Sequence, residues 1–385
     1  MNKRKALLIT AVAILYCLIG QPFIFTDVRF GGRLFSIKFV LLILLLVIGF
    51  SSSKYSKKHG QVWGMCALYA LLALIFHIDC YPGVLLFFFD ASFFFCIFSL
   101  AYKDPVFREI IYKADIYFSI FIGVTILACY FAFQSVPGIF LSIDIGDYPV
   151  FYHWFLGTVS AWGGRVVGYF NEPSYTGFYI GIHFFLLIGA EFVKFRWRIL
   201  ILILFLADLL VVLSLGAFIY MSMSLIVLFV AKVLRINSRL IKTGIFAGLL
   251  FAIFILPSFN VYNMSQDIVE IESTSTDDRQ YRMVLGDKVV NDMTMIDLFV
   301  GKGIDSVAKI YKIGLSDAYR KLYVEYGLLF LLFFMWFLNK MLGKNLPGYC
   351  YILLSCLSII IVTTPIALLA YLSFYTQSSL KQIKE

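Results

Sequence analysis

The chain of 385 residues is 61% hydrophobic and only 14% charged. A soluble domain of this length could not bury that much apolar surface, so lipid must be the solvent for most of the chain. The net charge of +9 comes from Lys and Arg concentrated in alternate short loops, which is typical of a membrane topology signal and not of a nucleic-acid-binding surface.

Apolar runs long enough to cross a bilayer, about 20 residues each, recur along the whole chain. They are found at 6–25, 34–50, 61–78, 83–102, 114–135, 174–193, 197–213, 216–234, 241–257, 321–340 and 347–375. The last run holds Thr363-Thr364-Pro365, which predicts either one kinked span or two short ones. The sequence therefore predicts a single membrane domain over 1–385, an all-α polytopic integral membrane protein with 11–12 transmembrane helices.

The distribution of basic residues predicts the orientation of these spans. Alternate loops carry clusters such as Lys3-Arg4-Lys5 and Lys194 to Arg198, whereas the intervening short loop from Asp79 to Pro82 has none. This pattern places the N-terminus in the cytoplasm. Two long segments, 136–171 and 258–320, then fall on the outer side, where long loops usually carry function.

The first long loop ends in the sequence GGRVVGYFNEPSYTGFYIG, residues 163–181. Pro173 suits the first position of a helix, which makes Glu172 its cap and turns the helix N-terminus outward. Free N–H groups and the helix dipole form an anion site there, and Arg165 lies just upstream. A planar guanidinium is well matched to phosphate oxygens.

Below this helix start, four polar residues share one helical face: Glu172, Thr176, Tyr179 and His183. On the neighbouring face, Gly177 and Gly181 form a pair that allows close helix packing. Two interpretations remain open. The stripe serves function, or an Arg–Glu ion pair closes the loop while the stripe bonds to other helices.

In the second long loop, an amphipathic helix is predicted from about 276 to 293, with Ser275 and Asp278 as a capping box. Arg279 and Arg282 fall on its apolar side. Two arginines facing inward at a membrane surface indicate a buried anion, and the alternative is that they extend to lipid headgroups.

Further along this loop, Gly301-Lys302-Gly303 forms a turn whose N–H groups could contact phosphate, although an ordinary turn explains it equally well. Arg320 then lies in the first turn of the next span, where a positive charge opposes the helix dipole and needs an anion such as Asp317 or a ligand.

Three further charged residues lie in or near other spans. Asp90 and Asp208 lie within spans, either paired with polar groups or on an ion path. Lys38 is expected to extend to the membrane surface.

The order of these features resembles the O-antigen polymerase (Wzy) family. The shared features are the many spans, the outer-loop R-x-x-G…N-E-P-S, the paired arginines, F-V-G-K-G-I-D and A-Y-R-K-L-Y-V-E-Y-G. Fifteen residues separate Arg165 from Gly181, which looks like the Arg-x15-Gly pattern of the polymerases. Arg279 and Arg282 lack this pattern, because the residues at the glycine position are Met295 and Leu298. The resemblance covers about 160–340 well and implies a GT-C-like architecture with two long periplasmic loops.

The resemblance implies an enzyme in a bacterial inner membrane that joins repeat units carried on undecaprenyl diphosphate at the periplasmic face. Its partners would be that lipid-linked oligosaccharide, membrane lipid, a chain-length regulator and a flippase, without nucleic acid, metal or cofactor. The predicted residues are grouped by role: catalytic carboxylates Glu172 and Asp278; diphosphate-binding Arg165, Arg279, Arg282 and Arg320; supporting or sugar-binding Asn171, Tyr175, Tyr281, Asp317 and Tyr323; structural Pro173, Gly177, Gly181, Gly301 and Gly303.

Other functions remain as alternatives. The related O-antigen ligases typically carry a His-Asn pair at the places that hold Ser316 and Asp317 in this chain. The ligase histidine is therefore missing, which favours a polymerase. A peptidoglycan polymerase of the shape, elongation and division type would need motifs that are not seen. A flippase or transporter for lipid-linked sugars would show inverted repeats and charges deep in its spans.

Overall fold

The computed structural model describes residues 1–19, 34–50, 57–145, 148–160, 164–170, 172–234, 241–244, 285–286, 288–304, 306–311, 315, 318–342, 345–356 and 363–384. This part of the chain is mostly helical, as predicted. Four of its helical stretches are long and apolar enough to cross a membrane: Ile78–Lys103, Pro105–Ser135, Leu215–Val233 and Ala318–Leu342. The composition and these helices together define a membrane-embedded helical protein.

The helices follow the predicted spans closely. They are α1 Lys3–Leu18, α2 Leu34–Phe50, α3 Lys57–Phe76, α4 Tyr81–Lys103, α5 Pro105–Ser135, α6 Pro173–Ile188, α7 Phe195–Val212, α8 Leu215–Val233, α9 Met295–Val300, α10 Ser306–Tyr311, α11 Ala318–Leu342, α12 Leu346–Ser355 and α13 Pro365–Lys384. The described parts of the predicted run 347–375 belong to two helices, α12 and α13, and residues 357–362 between them lie outside the described residues. Most of the predicted span 241–257 lies outside the described residues.

Local capping explains why α5 begins well before the predicted span. Asp104 has extended backbone angles and its carboxylate accepts a hydrogen bond from the N–H of Phe107 at 3.0 Å, while Pro105 occupies the first helical position. These signals start the helix nine residues upstream of the predicted boundary at 114. The first turns of α5 therefore carry Arg108, and its uncharged length begins only after Asp115.

The long loop 136–171 folds into a four-stranded antiparallel sheet, an element absent from the all-α prediction. Its strands are β1 Leu141–Ile145, β2 Tyr148–His153, β3 Gly157–Ser160 and β4 Val166–Gly168, in that spatial order. The sheet packs along α5, where the Cys129 thiol contacts the Thr158 carbonyl and the rings of Phe133 and Phe151 lie 5.3 Å apart. Contacts along one helix thus hold the sheet in place.

The chain divides into two compact units: Met1–Trp63 with Phe89–Ser224 and Thr363–Glu385, and Gly64–Phe88 with Leu225–Val362. The centre of the first unit contains fully buried aromatic residues from several helices, among them Tyr16, Phe178, Phe185, Tyr371 and Phe374. Its outward surface is also apolar, as on α7, where Leu200, Ile203 and Leu210 are more than half exposed. Such faces need lipid as their solvent.

In the second unit, α9 begins with a capping box in which the Thr294 hydroxyl and the Asp297 carboxylate each accept a backbone N–H. The hydroxyl of Tyr319 in α11 donates to the Leu353 carbonyl of α12 at 2.7 Å. Of the amphipathic helix predicted over 276–293, the described part includes Leu285 and Val289, both buried as expected of its apolar face.

Candidate functional site

The start of α6 has the predicted geometry, with Pro173 at the first helical position and Glu172 at the cap position. Glu172 is exposed, and its carboxylate accepts a hydrogen bond from the Ser174 hydroxyl at 3.0 Å instead of capping the helix N–H groups. A carboxylate is therefore presented at the surface beside a helix N-terminus. Tyr175, one of the predicted supporting residues, is buried behind it.

Arg165 lies one residue before β4, is exposed, and makes no ion pair among the described residues. Its carbonyl accepts the N–H of Ser160 at 2.8 Å, which fixes the backbone at this point. The Thr176 hydroxyl donates to the Val167 carbonyl at 2.6 Å and ties β4 to the first turn of α6. The alternative of an Arg165–Glu172 bridge closing the loop is therefore not realised, and both charges remain at the surface.

The polar stripe below Glu172 exists, and its lower end is bonded to two other helices. The imidazole Nδ1 of His183 contacts the Tyr179 carbonyl at 2.9 Å, and its Nε2 lies 3.2 Å from the Asp115 carboxylate of α5. The Ser373 hydroxyl of α13 donates to the other Asp115 oxygen at 2.6 Å. A carbonyl oxygen can only accept, so Nδ1 is the donor in its contact with Tyr179.

Asp115 and Ser373 are functional candidates that sequence reasoning missed. Both are fully or almost fully buried, as is His183. One signal in the sequence could have identified Asp115, which is a carboxylate inside a predicted span. Ionisable groups within a membrane are costly and are usually paired. Nothing in the sequence indicated which histidine it would meet. The structure thus supports the stripe's bonding to other helices.

Lys38 was predicted to extend to the membrane surface, and this prediction is wrong. Its side chain is only 2% exposed, and its ammonium lies 2.9 Å from the Asp90 carboxylate, which also accepts the Tyr16 hydroxyl at 2.8 Å. A buried charge is stabilised by a partner of opposite charge, so the lysine turns inward. Of the two interpretations of Asp90, pairing with polar groups or a place on an ion path, the structure supports pairing.

Asp208 differs from Asp90, because neither of its carboxylate oxygens has a hydrogen-bond partner among the described residues. It is fully buried and packs tightly against Gly123 of α5. An unpaired carboxylate in such a place is stable only in its neutral form. Asp208 and Asp90 therefore provide a matched pair of membrane carboxyls, one without a partner and one with a lysine.

We expect Asp208→Asn to leave the thermal stability of the purified protein unchanged or raised, because the amide is nearly isosteric with a neutral carboxyl. Asp90→Asn should lower stability by roughly 3 kcal/mol, since it leaves the Lys38 ammonium buried without its counter-charge. Thermal unfolding in lipid nanodiscs at neutral pH measures both. An equal loss in the two variants would contradict the assignment of Asp208 as a neutral group.

Close to the beginning of α6, Tyr169 donates its hydroxyl to the Phe155 carbonyl, which belongs to the turn between β2 and β3. Burial raises the pKa of Tyr169 above its ordinary value, so the hydroxyl stays protonated and remains a donor.

The close helix packing that the sequence predicts at Gly177 is present. A Cβ at this position would lie 2.6 Å from the side chain of Ser214 and 2.8 Å from Ala217.

In the second unit, the Gly301-Lys302-Gly303 turn is committed to internal packing. The N–H of Gly301 donates to Asp297, and the N–H of Lys302 donates to the Val324 carbonyl of α11 at 2.7 Å. His77 contributes a contact from its Nε2 to the Gly301 carbonyl at 2.7 Å. Two N–H groups of the turn are thus occupied, which favours the ordinary-turn interpretation over a phosphate loop.

Arg320 lies in the first turn of α11, as predicted, and is buried with its side chain against Gly286. Tyr323 is buried one turn later. Nearby, the Lys321 ammonium lies 3.8 Å from the carboxylate of Glu325, a buried acid that sequence reasoning did not assign to the site. This end of α11 thus contains ionisable side chains within an otherwise apolar segment.

Several predicted site residues lie outside the described part of the chain. They are Asn171, Asp278, Arg279, Tyr281, Arg282 and Asp317. Gly181 is buried on α6, as predicted for a packing position. In the described residues, no cluster of three or more His, Cys, Asp or Glu is arranged to hold a metal ion.

Comparison with protein-family models found no match, and no curated protein matches the sequence. The fold and the geometry of these residues therefore define a membrane-embedded helical protein with an exposed charged site at the start of α6.

Proposed function

We propose that this protein is a glycosyltransferase that polymerises oligosaccharide repeat units carried on undecaprenyl diphosphate, at the periplasmic face of a bacterial inner membrane. Apolar helices of membrane length support the location, because both substrates would be anchored in lipid. The single observation that carries the proposal is the pair Arg165 and Glu172. One flanks β4 and the other begins α6, and each presents its charge at the surface.

In this mechanism, the growing chain leaves its lipid diphosphate and joins the terminal sugar of a new lipid-linked unit. The bond between the anomeric carbon and the diphosphate oxygen breaks while a hydroxyl of the acceptor attacks the same carbon. Negative charge develops on the departing diphosphate, and preorganised cations stabilise it. Arg165 has this role, because its guanidinium is not already neutralised by a carboxylate among the described residues.

The attacking hydroxyl loses a proton, and Glu172 is the group assigned to accept it. Its carboxylate is exposed and bonded to a single hydroxyl, Ser174, so it retains acceptor capacity for a sugar O–H. Asp278 is the second candidate for this step. Arg279 and Arg282 lie outside the described residues and remain predicted diphosphate-binding residues, while Arg320 has the lesser weight because its side chain is buried against Gly286.

The reconstituted reaction tests this proposal directly. Purified protein in phosphatidylcholine vesicles, supplied with the host's own lipid-linked repeat unit, should produce a ladder of lengthening chains on a gel, with and without EDTA. Vesicles without protein provide the blank. Failure to form chains longer than one unit, by protein shown to be folded and inserted, would contradict the polymerase assignment. Movement of the intact unit across the bilayer would instead indicate a flippase.

A further inference from the structure

The turn between β2 and β3, residues 154–156, presents two aromatic side chains outward. Trp154 is 64% exposed and Phe155 is 47% exposed. No acidic or basic side chain lies between Tyr148 and Ser160 apart from His153. An apolar turn without charged side chains is unlike an ordinary solvated hairpin end, which is rich in polar turn residues.

The position of the turn along α5 indicates its surroundings. The uncharged part of α5, residues 116–135, is about 20 residues or about 30 Å long, which matches the hydrocarbon thickness of a bilayer. The ring of Phe155 lies 6.5 Å from that of Phe121, near the beginning of this stretch. Phe121 is about 21 Å from the end of the helix at Ser135. The turn therefore lies beside the apolar length of α5 and not beyond its end.

The outward face of α5 at this level is apolar. Tyr117, Phe121, Val124 and Phe131 are exposed and follow one another at helical spacing. Phe155 contacts this stripe edge-on through Phe121. The two aromatic rings of the turn thus extend a lipid-facing surface that belongs to a helix of membrane length.

Non-helical structure in lipid requires backbone polar groups that are paired within the protein, and three such groups of the turn are paired in this way. The Nδ1 atom of His153 accepts the N–H of Phe155 at 3.3 Å and that of Leu156 at 3.2 Å. The Phe155 carbonyl accepts the hydroxyl of Tyr169. Since β2 and β3 are the two central strands, each also has a hydrogen-bonded neighbour on both sides.

We infer that the β2–β3 turn is inserted into the bilayer, with Trp154 and Phe155 in contact with phospholipid acyl chains. The partner is lipid and not a sugar, because the rings continue the apolar stripe of α5 and three backbone polar groups of the turn are bonded internally. This inference does not depend on the proposed function. Its consequence is that the sheet, and with it the backbone at Arg165, is held at a fixed depth by the membrane.

Depth-dependent fluorescence quenching tests the insertion. In a variant that retains only Trp154, the other four tryptophans are replaced by phenylalanine, at positions 63, 162, 197 and 336. Reconstituted in phosphatidylcholine vesicles brominated at successive acyl positions, it should show blue-shifted emission that falls at least about twofold with acyl bromine. Aqueous iodide should have little effect. Strong quenching by iodide without quenching by bromolipid would overturn the inference.

A matched control moves the probe to a charged helix end. In the same background, Trp154→Phe with Tyr102→Trp places the tryptophan beside Lys103 at the end of α4, where shallow bromines and iodide should quench it more than deep bromines. If the multiple variant fails to fold, the native protein is compared with the single variant W154F. The acyl-bromine quenching lost in W154F is then the contribution of Trp154, and no loss would contradict insertion.

Discussion

Under the proposed function, Arg165→Ala is expected to reduce chain polymerisation by about 10²-fold to 10³-fold while leaving the protein folded and inserted. This magnitude is typical of removing one preorganised donor from a developing anion. The side chain is exposed and its guanidinium has no ion pair among the described residues, so its removal leaves no buried charge behind. In cells, the expected phenotype is surface polysaccharide carrying single repeat units.

The matched control for this change is Arg196→Ala, which removes another exposed arginine, near the start of α7. It lies after the C-terminal end of α6, whereas Arg165 lies before the helix begins. Arg196→Ala should keep wild-type chain length, and Arg165→Lys should recover only part of the activity, because an ammonium cannot bind two phosphate oxygens in a planar fork. Long chains made at the normal rate by folded Arg165→Ala would show that this residue does not bind the leaving diphosphate.

Gly327→Ala is expected to prevent stable folding, with a loss of at least roughly 3 kcal/mol. Gly327 interrupts α11 with φ 82° and ψ 169°, angles that are essentially restricted to glycine. A Cβ at this position would lie 2.2 Å from the Phe299 carbonyl oxygen, a backbone atom of α9 that has no side-chain freedom to move away. A Cβ on Gly301, which has φ 86°, would come similarly close to the carbonyl oxygen of Glu325 in α11.

The chain offers a control in Gly64→Ala, a glycine within α3 that has nothing within 4 Å of a new Cβ. That substitution should be neutral or slightly stabilising, because alanine has the higher helix propensity. Size-exclusion profiles and thermal unfolding of detergent-solubilised protein compare the two variants. A Gly327→Ala protein as stable as Gly64→Ala would contradict the break in α11 and its contact with the turn after α9.

Much of the helical framework could be predicted because its signals are local. The apolar length of each segment identified α2, α3, α4, α7 and α8 to within a few residues, and the Glu-Pro pair located the first residue of α6. Periodicity placed Thr176, Tyr179 and His183 on one face. These patterns need only neighbouring residues, which is why a single sequence was sufficient.

The sheet in the first long loop was not predicted, because strand pairing depends on partners and packing and not on intrinsic propensity alone. Its strands are short, and β4 has only three residues. The partners of the buried charges were equally hidden. Asp115 meets His183 and Ser373, which lie 68 and 258 positions away in the chain, and Lys38 meets Asp90 across 52 positions.

The sequence by itself determined that this is a membrane-embedded helical protein, where most of its helices begin and end, and that charge gathers at the start of α6. The tertiary structure decided which of those charges are paired. Lys38 and Asp115 have partners inside the first unit, whereas Arg165 and Glu172 are exposed at the surface. The physical reason is that helix formation follows local hydrophobicity and capping, while the state of a charge depends on which distant group packing brings within hydrogen-bonding distance.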